Sequence, residues 1–517
     1  MGAVISRIRD GVSDVVGAIK MLSSLIGKYQ QLLERASSPP GLPVSNPSSS
    51  YWLDDPPFPH LADVQGELPG TADVVIVGSG ITGAAAAKAI LELSTHGEQQ
   101  PLRVIVLEAR ELCSGATGRN GGHIKCVPHE EFARLKRKLG PEKARRIVRF
   151  QLRHLPALLE VGREIPQGEA REVETVDLFL EDKVFETARQ TVEEMREWMP
   201  EIEVTALKGE EVQDKIGVNE RVVGALSYKA GALWPFRLIT GVWDDLVKRY
   251  HNLTIRTNTP VEAITVDHSL PHPFQVHSAR GAINARHVFH ATNGFAPHLV
   301  PCLRGRLTGV LGHMTAQRPG IHFPQSHGKR SWSIIYNQCF DYVTQRPDGE
   351  DGTPGDVMLG GGLFNSKEQG LDQIGVWDDS RMDAWPLMHI RGSLQTVFEP
   401  RWGAEGGLKK AWTGIMGFTG DMMPFVGRLP ATKEDRPMDE GSGQWIAAGF
   451  NGDGMVWAWL CGTAAGVMVL GKEDEDLEVG NGRPGGKLAE WFPREEVAVD
   501  EARLKRAALK TLAGEVM

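Results

Sequence analysis

The 517-residue chain carries 57 Lys+Arg against 66 Asp+Glu, a formal charge of −9, which gives no electrostatic reason to bind nucleic acid. Its 41% apolar and 24% charged residues suit a soluble globular enzyme, and a chain longer than one ordinary core is expected to form two domains. The five cysteines (Cys113, Cys126, Cys302, Cys339, Cys461) are scattered, odd in number and without CxxC or metal-ligand spacing. They fit a reducing compartment rather than a disulfide framework, and no metal site is predicted.

Residues 1–38 place Ile5, Ile8, Val12, Val15, Ile19, Leu22, Ile26, Tyr29 and Leu33 three and four apart, one apolar seam on a helix. Arg7, Arg9, Lys20 and Lys28 flank it, and the opening Met1 to Ser6 fits the pattern for myristoylation at Gly2. Three readings stay open: a lipid-assisted helix on a membrane surface, a coiled-coil or partner helix, and a helix folded onto its own body. A secretory signal would need a continuous apolar core and a small-residue cleavage site. The expectation is therefore a cytoplasmic protein, with peripheral membrane contact left open. Pro39 to Ser50 is rich in proline and serine and reads as a linker. The aromatic lead-in Tyr51 to Pro59 is expected to be ordered against the body.

Val74-Val75-Ile76-Val77 is too short for a buried helix and rich in β-branched residues, which favours a central parallel strand. Gly78-Ser79-Gly80-Ile81-Thr82-Gly83 follows, then the alanine-rich helix former Ala84 to Leu93. Strand, glycine turn and helix in this order suit a dinucleotide pyrophosphate. Gly78 makes the tight turn, Gly80 lets the backbone approach the phosphates, and Gly83 lets helix and strand pack closely. The phosphates then rest on the free amides at the helix start, around Ile81 and Thr82. A second strand, Val104 to Leu107, ends at Glu108, whose carboxylate can accept both ribose hydroxyls and would repel a 2′-phosphate. Ala109 and Arg110 follow at the same edge. Cys113-Ser114-Gly115-Ala116-Thr117-Gly118-Arg119-Asn120-Gly121-Gly122-His123 is a small, polar, glycine-dense loop whose backbone can lie against a flat ring and offer it N–H donors.

On these residues the chain resembles the FAD-dependent oxidoreductases of the D-amino-acid oxidase type. It is most similar to the branch of γ-glutamylputrescine oxidase and its fungal relatives, where a Ser-Gly-Arg-Asn-Gly-Gly-like loop is typical. The resemblance implies an α/β fold: a Rossmann-like FAD-binding domain built from discontinuous segments, plus an antiparallel-sheet substrate domain with helices. Ser114, Ala116, Thr117, Arg119, Asn120, Gly121 and Gly122 become implied flavin neighbours. The expected division is an amphipathic helix (1–38), linker and lead-in (39–70), first FAD-binding part (71–128), helical substrate or cap region (129–229), second FAD-binding part (230–300), substrate-domain sheet (301–405), third FAD-binding part (406–480) and C-terminal tail (481–517).

Along the rest of the chain, Glu130 to Arg221 reads as helical, its charge runs as solvated faces. A helix, Arg237 to Tyr250, leads into Leu253 to Arg256 and Thr259 to Ile264, where the resemblance brings the backbone at Val261 to the adenine. Val288 to Gly294 resembles the family's last FAD-domain strand and turn, whose Thr292, Asn293 and Gly294 approach the pyrophosphate; His290 reads as a core histidine. Strands follow at Leu307 to Thr315, Trp332 to Tyr336, Tyr342 to Thr344 and Val357 to Leu359. In the family such a sheet lies over the reactive face of the flavin, which makes His313, Tyr336, Asp341 and Tyr342 the pocket candidates. Trp412 to Pro424 contributes Gly420 and Asp421. Ala447 to Met455 contributes Gly449, Asn451, Gly452, Asp453, Gly454 and Met455, at the start of an apolar helix, Val456 to Leu470, too short to span a bilayer. Asp500 to Leu512 reads as a surface helix.

The reaction implied is oxidation of a C–N bond in an amine or amino-acid-like small molecule, by hydride transfer to flavin N5, with dioxygen as acceptor. No catalytic acid or base is assigned. Gly414 aligns with the cysteine, and Arg119 with the histidine, that bind flavin covalently in two related branches, so FAD is expected to be non-covalent. Val357-Met358-Leu359 lies where sarcosine oxidase carries a lysine that activates oxygen, which keeps a dehydrogenase feeding a quinone or carrier protein as an alternative. A flavoprotein scaffold recruited to a membrane or partner through residues 1–38 is the non-enzyme alternative.

Overall fold

The computed structural model describes residues 27–94, 101–336, 339–430 and 441–511. Most of the N-terminal seam, residues 1–26, lies outside the described residues; 27–37 is helical, and Arg35 donates through Nε to Ile374 O at 2.7 Å. The strands in chain order are β1 (Thr71–Val77), β2 (Val104–Leu107), β3 (His123–Ile124), β4 (Arg171–Phe179), β5 (Thr205–Lys208), β6 (Gly224–Ala232), β7 (Leu253–Arg256), β8 (Ala263–Val266) and β9 (Phe274–Ser278). They continue with β10 (Gly281–His290), β11 (Leu307–Arg318), β12 (Arg330–Tyr336), β13 (Cys339–Gln345), β14 (Val357–Gly361), β15 (Gly407–Thr419), β16 (Phe425–Arg428) and β17 (Gly443–Ala448).

Among the described residues these strands form two sheets. The first runs β16-β17-β10-β1-β2-β7, with β9 and β8 extending from β10. β1 pairs in parallel with β2 on one side and β10 on the other. The chain therefore changes direction at β1, and a crevice opens beyond the carboxyl ends of the strands there. A parallel sheet must be covered on both faces. Here the helix Ile81–Ser94 covers one and is itself crossed by the fully buried helix Ala458–Val469. Gly466 makes that crossing close: a Cβ there would lie 2.9 Å from both Ala86 O and Ala89 Cβ.

The second sheet runs β15-β11-β14-β13-β12-β4-β6-β3, with β5 on β6. It is antiparallel apart from the β4–β12 pair. One face packs on the helix Ala384–Phe398 through Trp332, Ile334, Val343 and Leu359. The other turns Tyr228, Met314, Tyr342 and Met358 toward the first sheet.

Several expectations need correction. The region 129–229 holds β4 and most of β6, and a boundary at 229/230 would cut β6 in two. The exposed Glu172 and Glu174 of β4 alternate with Val173, Thr175 and Asp177, all buried, a period of two hidden among helical charge runs. β15 begins beside the 405/406 boundary yet belongs to the second sheet, paired with β11 along its length. Residues 39–50 are a strap rather than a spacer, because Ser48 donates its amide to Asp379 O at 2.8 Å and Ser50 Oγ donates to Gly118 O at 2.7 Å. The lead-in is ordered, with Trp52 buried and its indole N–H on Asn120 O. The stretch Asp500 to Leu512 is no simple surface helix. Arg503 is 1% exposed and paired with Asp421 at 3.1 Å. No helix among the described residues is long and apolar enough to cross a membrane.

Candidate cofactor and substrate site

The loops beyond the carboxyl ends of β1, β2, β10 and β17 converge. Gly78 has φ +107°, and a Cβ there would sit 2.7 Å from Ala291 O, so the turn admits no side chain. At Gly83 a Cβ would overlap Gly78 O. The first amides of a helix have no intrahelical acceptor; that of Ile81 donates to Thr117 Oγ1 at 2.9 Å, which ties the helix start to the glycine-dense loop. Glu108 accepts from the amide and hydroxyl of Ser79 at 2.9 and 2.7 Å and from the amide of Arg110 at 3.1 Å. A carboxylate has about four acceptor positions, so capacity for a ribose hydroxyl remains. Ala109 is half-buried beside it, and Val261 packs into the core beneath with Val75, Ile105 and Leu107.

The loop is held from three directions. Trp412 donates its indole N–H to Arg119 O at 2.8 Å, and Thr344 donates Oγ1 to Gly121 O at 2.8 Å. Asp379, missed in the sequence, pairs with Arg110 at 3.0 Å and Arg119 at 3.3 Å. Asn293 accepts from the amide of Gly449 at 3.0 Å, and Asn451 accepts from the amide of Thr419 at 2.8 Å. Both asparagines adopt positive φ, and their side-chain oxygens join the β10, β15 and β17 turns. His290 is buried on Gln444 at 2.9 Å, and burial pushes it down to about 4.

Between these loops a trough stays open. Gly78, Gly80, Glu108, Ala116, Thr292, Asn293, Gly452, Asp453 and Gly454 are half-buried or exposed, while the strands beneath them are fully buried. A Cβ on Gly115 or Gly454 would meet nothing within 4 Å. A glycine turn, an acid at the ribose end and an unfilled trough leading to the second sheet fit an adenine dinucleotide carrying a flat ring. Ser114 Oγ, Thr292 Oγ1 and Arg119 Nη2 are buried here without a hydrogen-bond partner among the described residues.

Of the four pocket candidates only Tyr342 faces this space. Its ring stacks on His123 at 6.2 Å and abuts Gly121. Asp341 precedes it in β13, and neighbouring strand residues point to opposite faces. Asp341, Tyr336 and His313 therefore lie on the other side of the sheet. There His389 Nε2 reaches Asp341 at 2.7 Å and Tyr336 Oη at 2.8 Å, and the Asp383 amide donates to His313 Nε2 at 3.0 Å. Gly420 and Asp421 are also displaced from the trough: Gly420 packs on Ala507 and Ala508, and Asp421 on Arg503.

What faces the space instead is a charged group the sequence did not suggest. Lys125, two residues past His123, bonds Asp177 on β4 and Ser333 on β12. Tyr228 on β6 donates to the other oxygen of Asp177 at 2.6 Å. Glu130, in the first turn of the helix Pro128–Leu139, and Asp453 both keep solvent-accessible surface at the edge of this space. Burial first, then neighbouring acids, raises each to about 7. Burial and the Lys125 charge push His123 well below its ordinary value.

No match was found among curated proteins. Solved structures with the same fold include glycine oxidase from Geobacillus kaustophilus, with 17% identity, a TM-score of 0.60, and 79% of this chain and 96% of that one covered. L-proline dehydrogenase from P. horikoshii gives 20%, 0.59, 78% and 95%, and iminodiacetate oxidase from Chelativorans sp. BNC1 gives 16%, 0.58, 80% and 99%. The model of the DAO family, FAD dependent oxidoreductases, matches residues 73–466, most of the chain and all the loops that enclose the trough. The chain therefore belongs to the DAO family of FAD-dependent oxidoreductases, and FAD is its cofactor.

Proposed function

We propose that the protein oxidises the C–N bond of a small amine or amino-acid-like substrate. The observation that carries this reading is the position of the Lys125–Asp177–Tyr228 group and the two open carboxyls, Glu130 and Asp453, at the end of the cofactor trough beside Tyr342. The glycine oxidase, L-proline dehydrogenase and iminodiacetate oxidase that share the fold are named for nitrogen-bearing substrates.

FAD supplies the hydride acceptor when bound, and the chain's residues position the substrate. Tyr342 offers an aromatic wall. Lys125 is pinned by Asp177 and Ser333, so it presents a fixed, neutralised pair rather than a mobile cation. His123 is held un-ionised, which avoids repelling an ammonium entering beside it. Incubating holoenzyme anaerobically with a panel of amines and amino acids is expected to bleach the flavin with at least one of them; no bleaching by any would sink the reading. We propose dioxygen as the electron acceptor. Stoichiometric peroxide on readmitting air is the expected result, and its absence would favour a quinone or carrier protein, in keeping with Met358 on the face turned toward the cofactor.

We also propose that FAD is bound non-covalently. Gly414 carries no nucleophile and its Cβ position faces Arg119 Cβ at 3.0 Å, while the Arg119 guanidinium is committed to Asp379. Acid precipitation should leave the yellow colour in the supernatant; flavin that stays with the pellet would contradict this.

A further inference from the structure

Five of the twelve large apolar side chains exposed among the described residues fall between positions 364 and 388: Phe364, Leu371, Met382, Trp385 and Met388, from 42% to 71% exposed. They come from the turns Leu363–Asn365 and Leu371–Gln373 and from the start of the helix Ala384–Phe398. Packing makes these segments one plate. A Cβ on Gly370 would lie 3.6 Å from Phe364 Cδ1, which sets the first turn against the second. Gln373 Nε2 donates to Asp383 Oδ2 at 2.9 Å, which sets the second turn against the helix start. Tyr336 Oη lies 3.2 Å from Asn365 Oδ1 and 2.8 Å from His389 Nε2, which ties the first turn to the same helix. Asp383 also caps that helix by accepting from the Trp385 amide at 3.0 Å, and Trp385 and Met388, three apart, share a helix face. The helix covers the side of the second sheet turned away from the cofactor trough, so the cofactor site makes no use of this apolar surface.

The rim of the plate has one sign. Lys367, Arg381 and Arg391 are exposed, and their side chains make no hydrogen bond or ion pair among the described residues. Glu368 is the only exposed acid from 363 to 391, because Asp372 accepts from Ser366, Asp378 from Ser380, and Asp383 caps the helix. In a chain of net charge −9 this is a local reversal. Contiguous exposed apolar side chains mark an interaction surface. Ringed by unpaired cations, they suit an anionic bilayer, whose headgroup boundary takes up the apolar groups while its negative surface potential attracts the cations. The described end of the N-terminal segment touches the same plate: Arg35 donates through Nη2 to Leu371 O at 2.5 Å. Ahead of it in the sequence lies the apolar seam flanked by Arg7, Arg9 and Lys20. We propose that this plate docks the protein on the surface of an anionic phospholipid bilayer, with Trp385 and Met388 entering the headgroup boundary and the cofactor trough on the far side of the second sheet from the lipid.

The inference does not depend on the amine-oxidising reading above. It is tested by cosedimentation of the full-length holoenzyme with vesicles of phosphatidylcholine alone and of phosphatidylcholine mixed with phosphatidylserine. The wild type is expected to bind the anionic vesicles at least about tenfold more tightly, since each cation near such a surface contributes about fivefold, the factor that about 1 kcal/mol confers. Trp385→Ser combined with Met388→Ser should weaken binding to the anionic vesicles by about tenfold or more. Lys367→Gln combined with Arg381→Gln and Arg391→Gln should remove the preference for anionic lipid. All five positions are exposed and outside the cofactor site, so flavin content and thermal midpoint should stay at the wild-type level, which separates lost docking from lost fold. No sedimentation with either vesicle overturns the proposal and leaves the plate to a protein partner. Equal binding to both vesicles overturns the anionic assignment. Binding that neither set of substitutions alters also overturns it and moves the membrane contact to residues 1–26.

Discussion

Replacing Asp379 with alanine is expected to destabilise the fold by about 3–5 kcal/mol, the range for removing one partner of a buried ion pair, and to empty the cofactor site. Asp379 is 2% exposed and is the shared counter-ion of Arg110 and Arg119. Burial already pushes Arg119 down to about 10 against the attraction of Asp379 and with the repulsion of Arg110. Removing the carboxylate would leave two guanidinium groups facing one another in a water-poor interior. Arg110 follows Glu108, and Arg119 opens the Arg119-Asn120-Gly121-Gly122 turn, so their separation would distort the ribose end and the ring end of the trough together. The Asp379 backbone would still accept from the Ser48 amide and Thr413 Oγ1, which limits the damage to the charge. Urea unfolding followed by circular dichroism, with flavin fluorescence measured on the same samples, checks both parts. Asp379→Asn should fall between wild type and alanine because the shape is kept. A variant with unchanged midpoint and full flavin content would show that the two arginines find water or another acceptor.

Asp379 also illustrates what the sequence does not display. The β1 turn, the Ile81–Ser94 helix and Glu108 were legible because their chemistry is local: a phosphate cradle requires glycines and an acid at set spacings along one segment. Asp379 lies 260 residues beyond Arg119 in a stretch with no motif, and only tertiary packing brings it to the loop. The pocket candidates erred for a reason that was available. Asp341 and Tyr342 are adjacent in a strand, so they cannot both face the cofactor, and the period of two should have divided them. Glu130 was concealed differently. It sits in a charge-rich helix beside Glu131, which is paired with Arg134, and its place in the first turn, just past the loop, sets it at the end of the trough. The resemblance places Asp421 with the FAD-domain segment Trp412 to Pro424, but a buried arginine 82 positions later claims it. Backbone-led features transfer from sequence; partnerships between charges from distant segments do not.

Replacing Gly83 with alanine is expected to have the other large effect, and to separate the two things a glycine does in this site. The added Cβ would overlap Gly78 O and stand 3.5 Å from Ile76 Cγ2, so the helix Ile81–Ser94 would have to move away from β1. Neither obstacle is the flexible end of a side chain. The displaced backbone is the turn whose Gly78 already needs positive φ, and the helix is wedged between the sheet and the helix Ala458–Val469, where Gly462 leaves no slack against Thr82 O. Overpacking a rigid core costs about 1–3 kcal/mol and occasionally more; here the upper end or beyond is expected, with the helix amides pulled off the pyrophosphate. Gly454→Ala is the matching control, because its Cβ meets nothing within 4 Å and φ is ordinary. It should leave the unfolding free energy of the cofactor-free protein within about 0.5 kcal/mol of wild type, as substitutions outside packed features do, and weaken FAD binding by projecting a methyl group into the trough. The measurement is paired: unfolding of the cofactor-free forms, then FAD titration by fluorescence quenching. If Gly83→Ala unfolds like wild type, the contact between helix and turn is softer than the packing indicates; if Gly454→Ala binds FAD with unchanged affinity, the cofactor does not pass that wall.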